Sequence, residues 1–423
     1  MVIASIDIQD TYVVQLKQGV ELALRREGGE ILAKEFDRFG EIAVIDLDAA
    51  MGRGSNFEMI KPLLRIAECR VGGGIRSSGQ ALELLSLGAK KVIVGSAVFR
   101  VGEGFALNTE FLSEMANKIG RERLIVAVDA REDEIVVDGW RTHTGLKLFE
   151  TAKHLEKYSG ELLFTSVEKE GMMGGADIGA IKKLRGAVSC RLTVAGGIST
   201  LDEVETIASL GCDIQLGMAL YTGKINLADA FAVSLDWEKV SDGLLPVIAQ
   251  SYDGQVLMTG FTDRDALLET FKCGNLCFHS RTRKKLWMKG ETSGNTMKLL
   301  RMRADCDRDA LLAVVNPSGP ACHTGAWTCF ETDRRYTLQY LQEIINERLS
   351  NAPAGSYTAS LTDERVRRKI MEEAYEVCTA KTRSEFVWEA ADLFYHTIAL
   401  LSKENVSIDE VLDELERRHR KSP

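Results

Sequence analysis

No apolar run in the sequence approaches the roughly 20 residues that cross a membrane, which argues against a membrane span. Nor does it open on a basic, apolar leader: MVIASIDIQD places Asp7 early, unlike a signal peptide. Basic residues are not in excess. The 53 Lys and Arg against 62 Asp and Glu give a net charge of −9, which argues against a nucleic-acid partner. A small phosphorylated substrate stays compatible, because it needs only one positive or metal-lined pocket. There is no C-x-x-C pair, and the cysteines form no even, closely spaced set. The nine (Cys69, Cys190, Cys212, Cys273, Cys277, Cys306, Cys322, Cys329 and Cys378) do not read as a disulfide framework. They fit a reducing, cytoplasmic compartment in which thiolates stay free to bind metal.

What is present is long and ordinary in composition. The 423 residues are 45% hydrophobic and 27% charged, as in globular protein. They are too many for one core and imply about two to four domains.

Up to about residue 225, eight short runs rich in Val and Ile alternate with helical patterns. The runs fall at 2–7, 42–48, 69–73, 91–96, 124–129, 162–167, 192–197 and 213–218. Continuous apolarity suits strands covered on both faces. Helical periodicity falls at 56–67, 78–87, 177–184 and 201–210. An internal repeat, 71–99 against 194–221, is offset by about 123 residues, near half the segment. Eight βα units and a half-length repeat predict a (β/α)8 barrel over 1–230 rather than a doubly wound sheet. The glycine-rich strand ends then form two phosphate cradles, at Gly73, Gly74, Gly95 and Ser96, and at Gly196, Gly197 and Gly217.

Residues 236–334 read as a β-rich, metal-binding α+β module entered through the linker LDWEKVSDGLLP. A D-G turn inside PVIAQSYDGQVLMTGF signals a hairpin. Residues 336–423 read as all-α, with helices at 336–349, 363–381, 384–403 and 407–420 and a loop at 350–357. In this module Trp388 recurs with aliphatic residues at helical spacing, which predicts a core position.

Chemistry is densest between 305 and 329. Cys306, Cys322 and Cys329 supply three thiols, the number that leaves a catalytic Zn²⁺ one open position. Asp305, Asp307 and Asp309 offer hard oxygen ligands suited to Mg²⁺; on an extended segment they share one face and Cys306 takes the other. HSRTRKKLWMKGETSGN (279–295), RADCDRDALL (303–312) and GPACHTGAWTCF (319–330) resemble the phosphoribosyl-AMP cyclohydrolases. The resemblance implies zinc on the three cysteines, with Cys306 of one subunit completing the site of another in a homodimer. It implies Mg²⁺ on the three aspartates and acid–base catalysis by His323. Arg281, Arg283 and Lys289 are candidate phosphate contacts.

Glu373 and Glu376 stand three apart on one predicted helix, Glu389 and Asp392 three apart on the next. Packed antiparallel, such helices face carboxylates at one another, and a divalent cation is their natural partner. GSYTASL (355–361), KIMEEAYEV (369–377) and WEAADLFYH (388–396) resemble the helical phosphoribosyl-ATP pyrophosphohydrolases. This implies Mg²⁺ on Glu372, Glu373, Glu376, Glu389 and Asp392, and attack of water on a nucleoside triphosphate with release of pyrophosphate.

In a barrel, chemistry sits at the C-terminal ends of the strands. Asp7 ends the first strand, Asp129 the fifth and Thr165 the sixth; paired carboxylates there suit general acid–base work. VIDLDAAMGRG (44–54), VGGGIR (71–76) and VDAREDEIVVDGW (128–140) resemble the ProFAR isomerases, which convert an aminoaldose to an aminoketose, and Asp7, Asp129 and Thr165 fall on that family's catalytic positions. Three departures stand out: Gln15 replaces an Arg, EKEGMM (168–173) replaces a D-G-T loop, and Met218 follows the last glycine. Two readings follow: an isomerase with altered loops, or an inactive barrel kept as a scaffold or metabolite-binding module.

Overall fold

The structure, a computed structural model, describes all residues except 103, 241, 331–332, 352–354 and 422–423. Eight parallel strands close into a barrel: β1 (Val2–Gln9), β2 (Ile42–Asp46), β3 (Cys69–Gly72), β4 (Lys91–Val94), β5 (Leu124–Arg131), β6 (Glu161–Ser166), β7 (Arg191–Ala195) and β8 (Asp213–Leu216). β1 pairs with both β2 and β8, and β4 with β5, so no strand edge is left open. The expected helices appear at Phe57–Ile66, Ser78–Ser86, Ile178–Ala187 and Leu201–Ser209. Inside the barrel, Ile93, Ile125, Leu163 and Ala195 form an apolar layer. Below it lies a charged one. Arg70, almost fully buried, pairs with Glu161 and Glu41, and Lys91 bridges the same two carboxylates at 3.0 and 3.3 Å. The cluster of four groups neutralises itself, as burial of charge demands.

The middle region carries a four-stranded sheet in the order β10 (Val256–Thr262), β9 (Leu245–Ser251), β14 (Leu311–Pro317), β13 (Met297–Ala304). The D-G hairpin joins β9 to β10. A second hairpin pairs β11 (Cys277–Ser280) with β12 (Lys285–Met288), and helix α1 (Arg264–Cys273) precedes it.

This region packs on the N-terminal end of the barrel, opposite the strand ends where chemistry belongs. Phe271 of α1 stacks on Phe39 at 4.3 Å and meets Phe231 edge-on at 5.5 Å. Arg301 pairs with Asp37 and, at 3.1 Å, with Glu68, while Met302 N–H donates to the Arg38 carbonyl at 2.8 Å. One continuous core spans barrel and middle region.

The C-terminal region is helical: α2 (Leu338–Ser350), α3 (Asp363–Thr379), α4 (Arg383–Lys403) and α5 (Ile408–Lys421). Residues 352–354 of the expected 350–357 loop lie outside the described residues. Thr382 and Glu385 form a reciprocal capping box that starts α4 three residues after α3 ends, which folds the two into a hairpin. A small separate core, with Ile345, Val366 and Ile398 at its centre, holds the module. Trp388 corrects the sequence reading: it is 70% exposed, beside exposed Phe386, Val387 and Phe394. Helical spacing alone does not tell a buried apolar side chain from an exposed one.

Candidate active sites

At the C-terminal mouth of the barrel, a cavity of about 250 Å³ is lined by Asp7, Asp129 and Thr165 and by all seven cradle residues, Gly73, Gly74, Gly95, Ser96, Gly196, Gly197 and Gly217. The two halves match in detail. Gly73 and Gly196 have φ of +102° and +99°, and a Cβ would stand 2.1 Å from the Asp46 carbonyl oxygen in one and 2.7 Å from the Ser166 carbonyl oxygen in the other. Only glycine lets those turns pass so close and leaves their N–H groups bare.

Each carboxylate is oriented. Ser5 Oγ donates to Asp7 at 2.7 Å, and Gln15 Nε2 donates to it at 3.4 Å. Trp140 Nε1 donates to Asp129 at 2.9 Å, with Thr165 as a second partner. Burial raises Asp7 to about 6 against the pull of Ser5 and Gln15, and raises Asp129 against Trp140 and Thr165. Sequence reasoning missed a third carboxyl group. Glu170 lines the same cavity, and burial followed by the charges of Asp7 and Asp129 raises it to about 8. The signal was present: EKEGMM keeps an acidic residue before its glycine, as D-G-T does. Of the other departures, Met218 lines the cavity wall, while Gln15 is buried behind it and reaches Gly217.

In the middle region the carboxylate oxygens of Asp305, Asp307 and Asp309 lie within 4.8 Å of one another. They converge around a bend rather than along an extended segment. Arg308 takes a left-handed φ of +65°, and Asp305 Oδ1 accepts from the N–H of Asp309 at 3.1 Å and of Ala310 at 3.3 Å. Lys239 Nζ sits 2.9 Å from Asp307 and 3.6 Å from Asp309. Cys322 and Cys329 meet side chain to side chain. Thr324 Oγ1 donates to Cys322 Sγ at 3.1 Å and holds that thiol below its usual range; burial and the charge of Cys322 push Cys329 up. Lys289 is buried facing the pair. Burial lowers its ammonium while both sulfurs oppose the shift, so it is no solvated surface charge. His323 Nδ1 stands 3.8 Å from Cys322 Sγ. Arg281 and Arg283 are exposed on the β11–β12 connection, Arg281 over the Phe261 ring at 3.8 Å. Cys306 is exposed on the aspartate loop, and among the described residues no group of three cysteines assembles within one chain.

The helical hairpin gathers all five acidic positions into two overlapping triads, Glu372–Glu373–Glu376 and Glu373–Glu389–Asp392, with buried Glu373 common to both. Burial and the neighbouring Glu389 and Glu373 raise Glu376. Lys369 donates to Glu372 at 2.8 Å and Glu373 at 3.1 Å. A cavity of about 610 Å³ beside them is lined by Arg348, Ser356, Tyr357, Lys369, Glu373, Asp392 and His396. In both acidic clusters an ammonium already rests among the carboxylates, so the geometry accommodates positive charge, and the donors are the hard oxygens that Mg²⁺ prefers.

Residues 1–226 match the family model described as histidine biosynthesis protein, more than half of the chain. The chain belongs to the histidine biosynthesis family. Residues 258–331 match the phosphoribosyl-AMP cyclohydrolase model and 338–419 the phosphoribosyl-ATP pyrophosphohydrolase model. The histidine biosynthesis bifunctional protein HisIE of Vibrio vulnificus is 43% identical over 203 residues, which cover 45% of this chain and 96% of that protein. HisIE of Photobacterium profundum is 41% identical over 207 residues, covering 45% of this chain and all of that protein. HisIE of Escherichia coli O157:H7 is 42% identical over 194 residues, covering 44% and 95%. The chain is therefore a fusion of a histidine-biosynthesis barrel with both hydrolases, and it has cyclohydrolase and pyrophosphohydrolase activity. Among the described residues no helix is long and apolar enough to cross a membrane.

Proposed function

We propose that the barrel adds a third step to the two hydrolyses: after pyrophosphate leaves phosphoribosyl-ATP and the adenine ring of phosphoribosyl-AMP opens, the mouth of the barrel isomerises the resulting aminoaldose. The observation that carries this is the convergence of Asp7, Asp129, Thr165 and both glycine cradles on one cavity. A substrate phosphorylated at both ends lies across it, one phosphate on each cradle, with its ribose above the carboxylates. The rearrangement needs a proton delivered to the ring oxygen as the ring opens and a proton taken from C2. Asp7, ionised above about 6, serves as base; the acid role falls to Asp129 and Glu170, which cannot both lose their protons easily. The test is product analysis of the full chain given the aminoaldose; Glu170→Gln is expected to slow turnover about 10²-fold, because an amide cannot donate the proton.

In the cyclohydrolase, Cys322 and Cys329 of one subunit with Cys306 of a second would hold Zn²⁺, which when bound would supply a water of lowered pKa. Lys289, facing the thiolates, is placed to orient the substrate phosphate, with Arg281 and Arg283 as outer contacts. His323, beside Cys322, exchanges protons with the ring that opens. Asp305, Asp307 and Asp309 would hold Mg²⁺. In the helical module Glu372, Glu373, Glu376, Glu389 and Asp392 would hold Mg²⁺, which when bound would offset triphosphate charge. Glu376→Gln or Asp392→Asn is expected to abolish pyrophosphate release. The metal-free melting temperature should hold or rise, because one source of like-charge repulsion is removed. A variant that melts earlier yet keeps turnover assigns these residues to structure.

The protein acts as a cytoplasmic homodimer in this reading. The exposed apolar side chains of Phe386, Val387, Trp388 and Phe394 on α4 support a second copy. Trp388→Glu is expected to lower the sedimenting mass from dimer toward monomer at micromolar concentration; an unchanged mass places the contact elsewhere.

A further inference from the structure

The acidic loop of the cyclohydrolase does not stand on its own module. The side chain of Arg308, at its tip, leaves the middle region and enters the N-terminal end of the barrel. One guanidinium nitrogen donates to the Ala208 carbonyl at 2.8 Å; another donates to the Cys212 carbonyl at 2.7 Å and meets Asp213 at 3.2 Å. Asp213 is buried and also binds the Met1 amino group and Arg191. The barrel therefore offers a rigid socket at the start of β8. The Arg308 carbonyl in turn accepts the Asp236 N–H at 2.9 Å, so linker and barrel grip the same residue. That residue has a left-handed backbone, which a non-glycine residue adopts only where its surroundings enforce it. Asp307 and Asp309 flank it directly, and the bend at Arg308 is what turns them toward Asp305.

We propose that Arg308 is a positioning residue through which the barrel sets the shape of the cyclohydrolase's Mg²⁺ loop, so that the barrel is a structural part of that enzyme whatever its own chemistry. The proposal rests on the reading of Asp305, Asp307 and Asp309 as Mg²⁺ ligands. Its sign separates it from plain electrostatics. Removing a positive charge beside three carboxylates should, by charge alone, tighten cation binding. Loss of positioning should weaken it, because the ligand oxygens no longer converge. Lys239 provides the contrast: its ammonium contacts the carboxylates themselves, so Lys239→Gln should tighten Mg²⁺ binding.

The experiment is calorimetric titration of the full-length protein with Mg²⁺, in wild type, Arg308→Ala and Arg308→Lys, alongside amide hydrogen exchange over 305–310. To isolate this site, all proteins, including the one with Arg308 intact, carry Glu373→Gln, which removes the carboxylate common to both acidic triads of the helical module. Arg308→Ala is expected to bind Mg²⁺ roughly tenfold more weakly, the scale of a lost set of charge-assisted hydrogen bonds. The amides of Asp309 and Ala310 should exchange faster, zinc content should hold, and cyclohydrolase kcat should return at saturating Mg²⁺. Arg308→Lys, which keeps the charge but not the forked reach, should fall between; it replaces Arg308→Ala should that variant not fold. Equal or tighter Mg²⁺ binding with unchanged exchange overturns the proposal. Faster exchange in a protein whose wild type binds no Mg²⁺ at this loop upholds the clamp and overturns the metal reading instead.

Discussion

Asp7→Asn and Asp129→Asn are each expected to cost isomerisation about 10²-fold or more while leaving substrate affinity nearly unchanged. Binding rests on the glycine cradles, which neither change touches, whereas proton transfer at the ribose needs the carboxylates. For the wild type, kcat/KM against pH should be bell-shaped, rising near 6 as Asp7 ionises and falling near 8 as Glu170 loses its proton. Stability gives an independent reading of Asp7. Its folded pKa lies above the unfolded value, so the stability tied to its proton is fully present below about 4 and lost as pH rises through about 6. Asp7→Asn should therefore melt higher than wild type above pH 6 and gain nothing at pH 4. Isomerisation that survives Asp7→Asn, measured by chromatography of the product, removes Asp7 from the chemistry.

Cys322→Ser and Cys329→Ser are expected to abolish cyclohydrolase activity and bound zinc together. Each removes one of two adjacent sulfurs, and the remnant cannot complete a tetrahedral site even with a partner's cysteine. Cys306→Ser should do the same, although Cys306 is not gathered with the other two in one chain. Mixing inactive Cys306→Ser with inactive Cys322→Ser protein should restore part of the activity in heterodimers, one of whose two shared sites is intact. Pyrophosphate release should survive throughout, because the helical module has its own core. The measurements are zinc content by atomic emission and ring opening by ultraviolet absorbance; full turnover by a zinc-free Cys322→Ser protein contradicts the assignment.

Much of this was legible in the sequence for identifiable reasons. Strands covered on both faces read as unbroken apolar runs, so the eight barrel strands stand out. The half-length repeat foretold the matched turns at Gly73 and Gly196. The paired i, i+3 carboxylates foretold the acidic hairpin. What escaped depends on contacts distant in sequence. Periodicity marks Trp388 as apolar-faced but cannot tell a core from a surface that a second chain covers. Glu170 sits in a loop, where no period announces direction. Arg308 looks like any charge in an acidic run; only the fold brings its guanidinium to Asp213. The core shared by Phe39, Phe231 and Phe271 likewise joins segments more than thirty residues apart, and it makes the full chain the right object for assay.

One chain is expected to perform three consecutive reactions. The most direct measurement supplies the full-length protein, with Zn²⁺ and Mg²⁺, with phosphoribosyl-ATP alone and follows all species by chromatography and mass spectrometry. The expected result is pyrophosphate release, transient phosphoribosyl-AMP and aminoaldose, and final accumulation of the aminoketose, which has the same mass as the aminoaldose but a different retention. Accumulation of aminoaldose with no aminoketose at high enzyme concentration would contradict it, leaving two hydrolases on a barrel that only supports them.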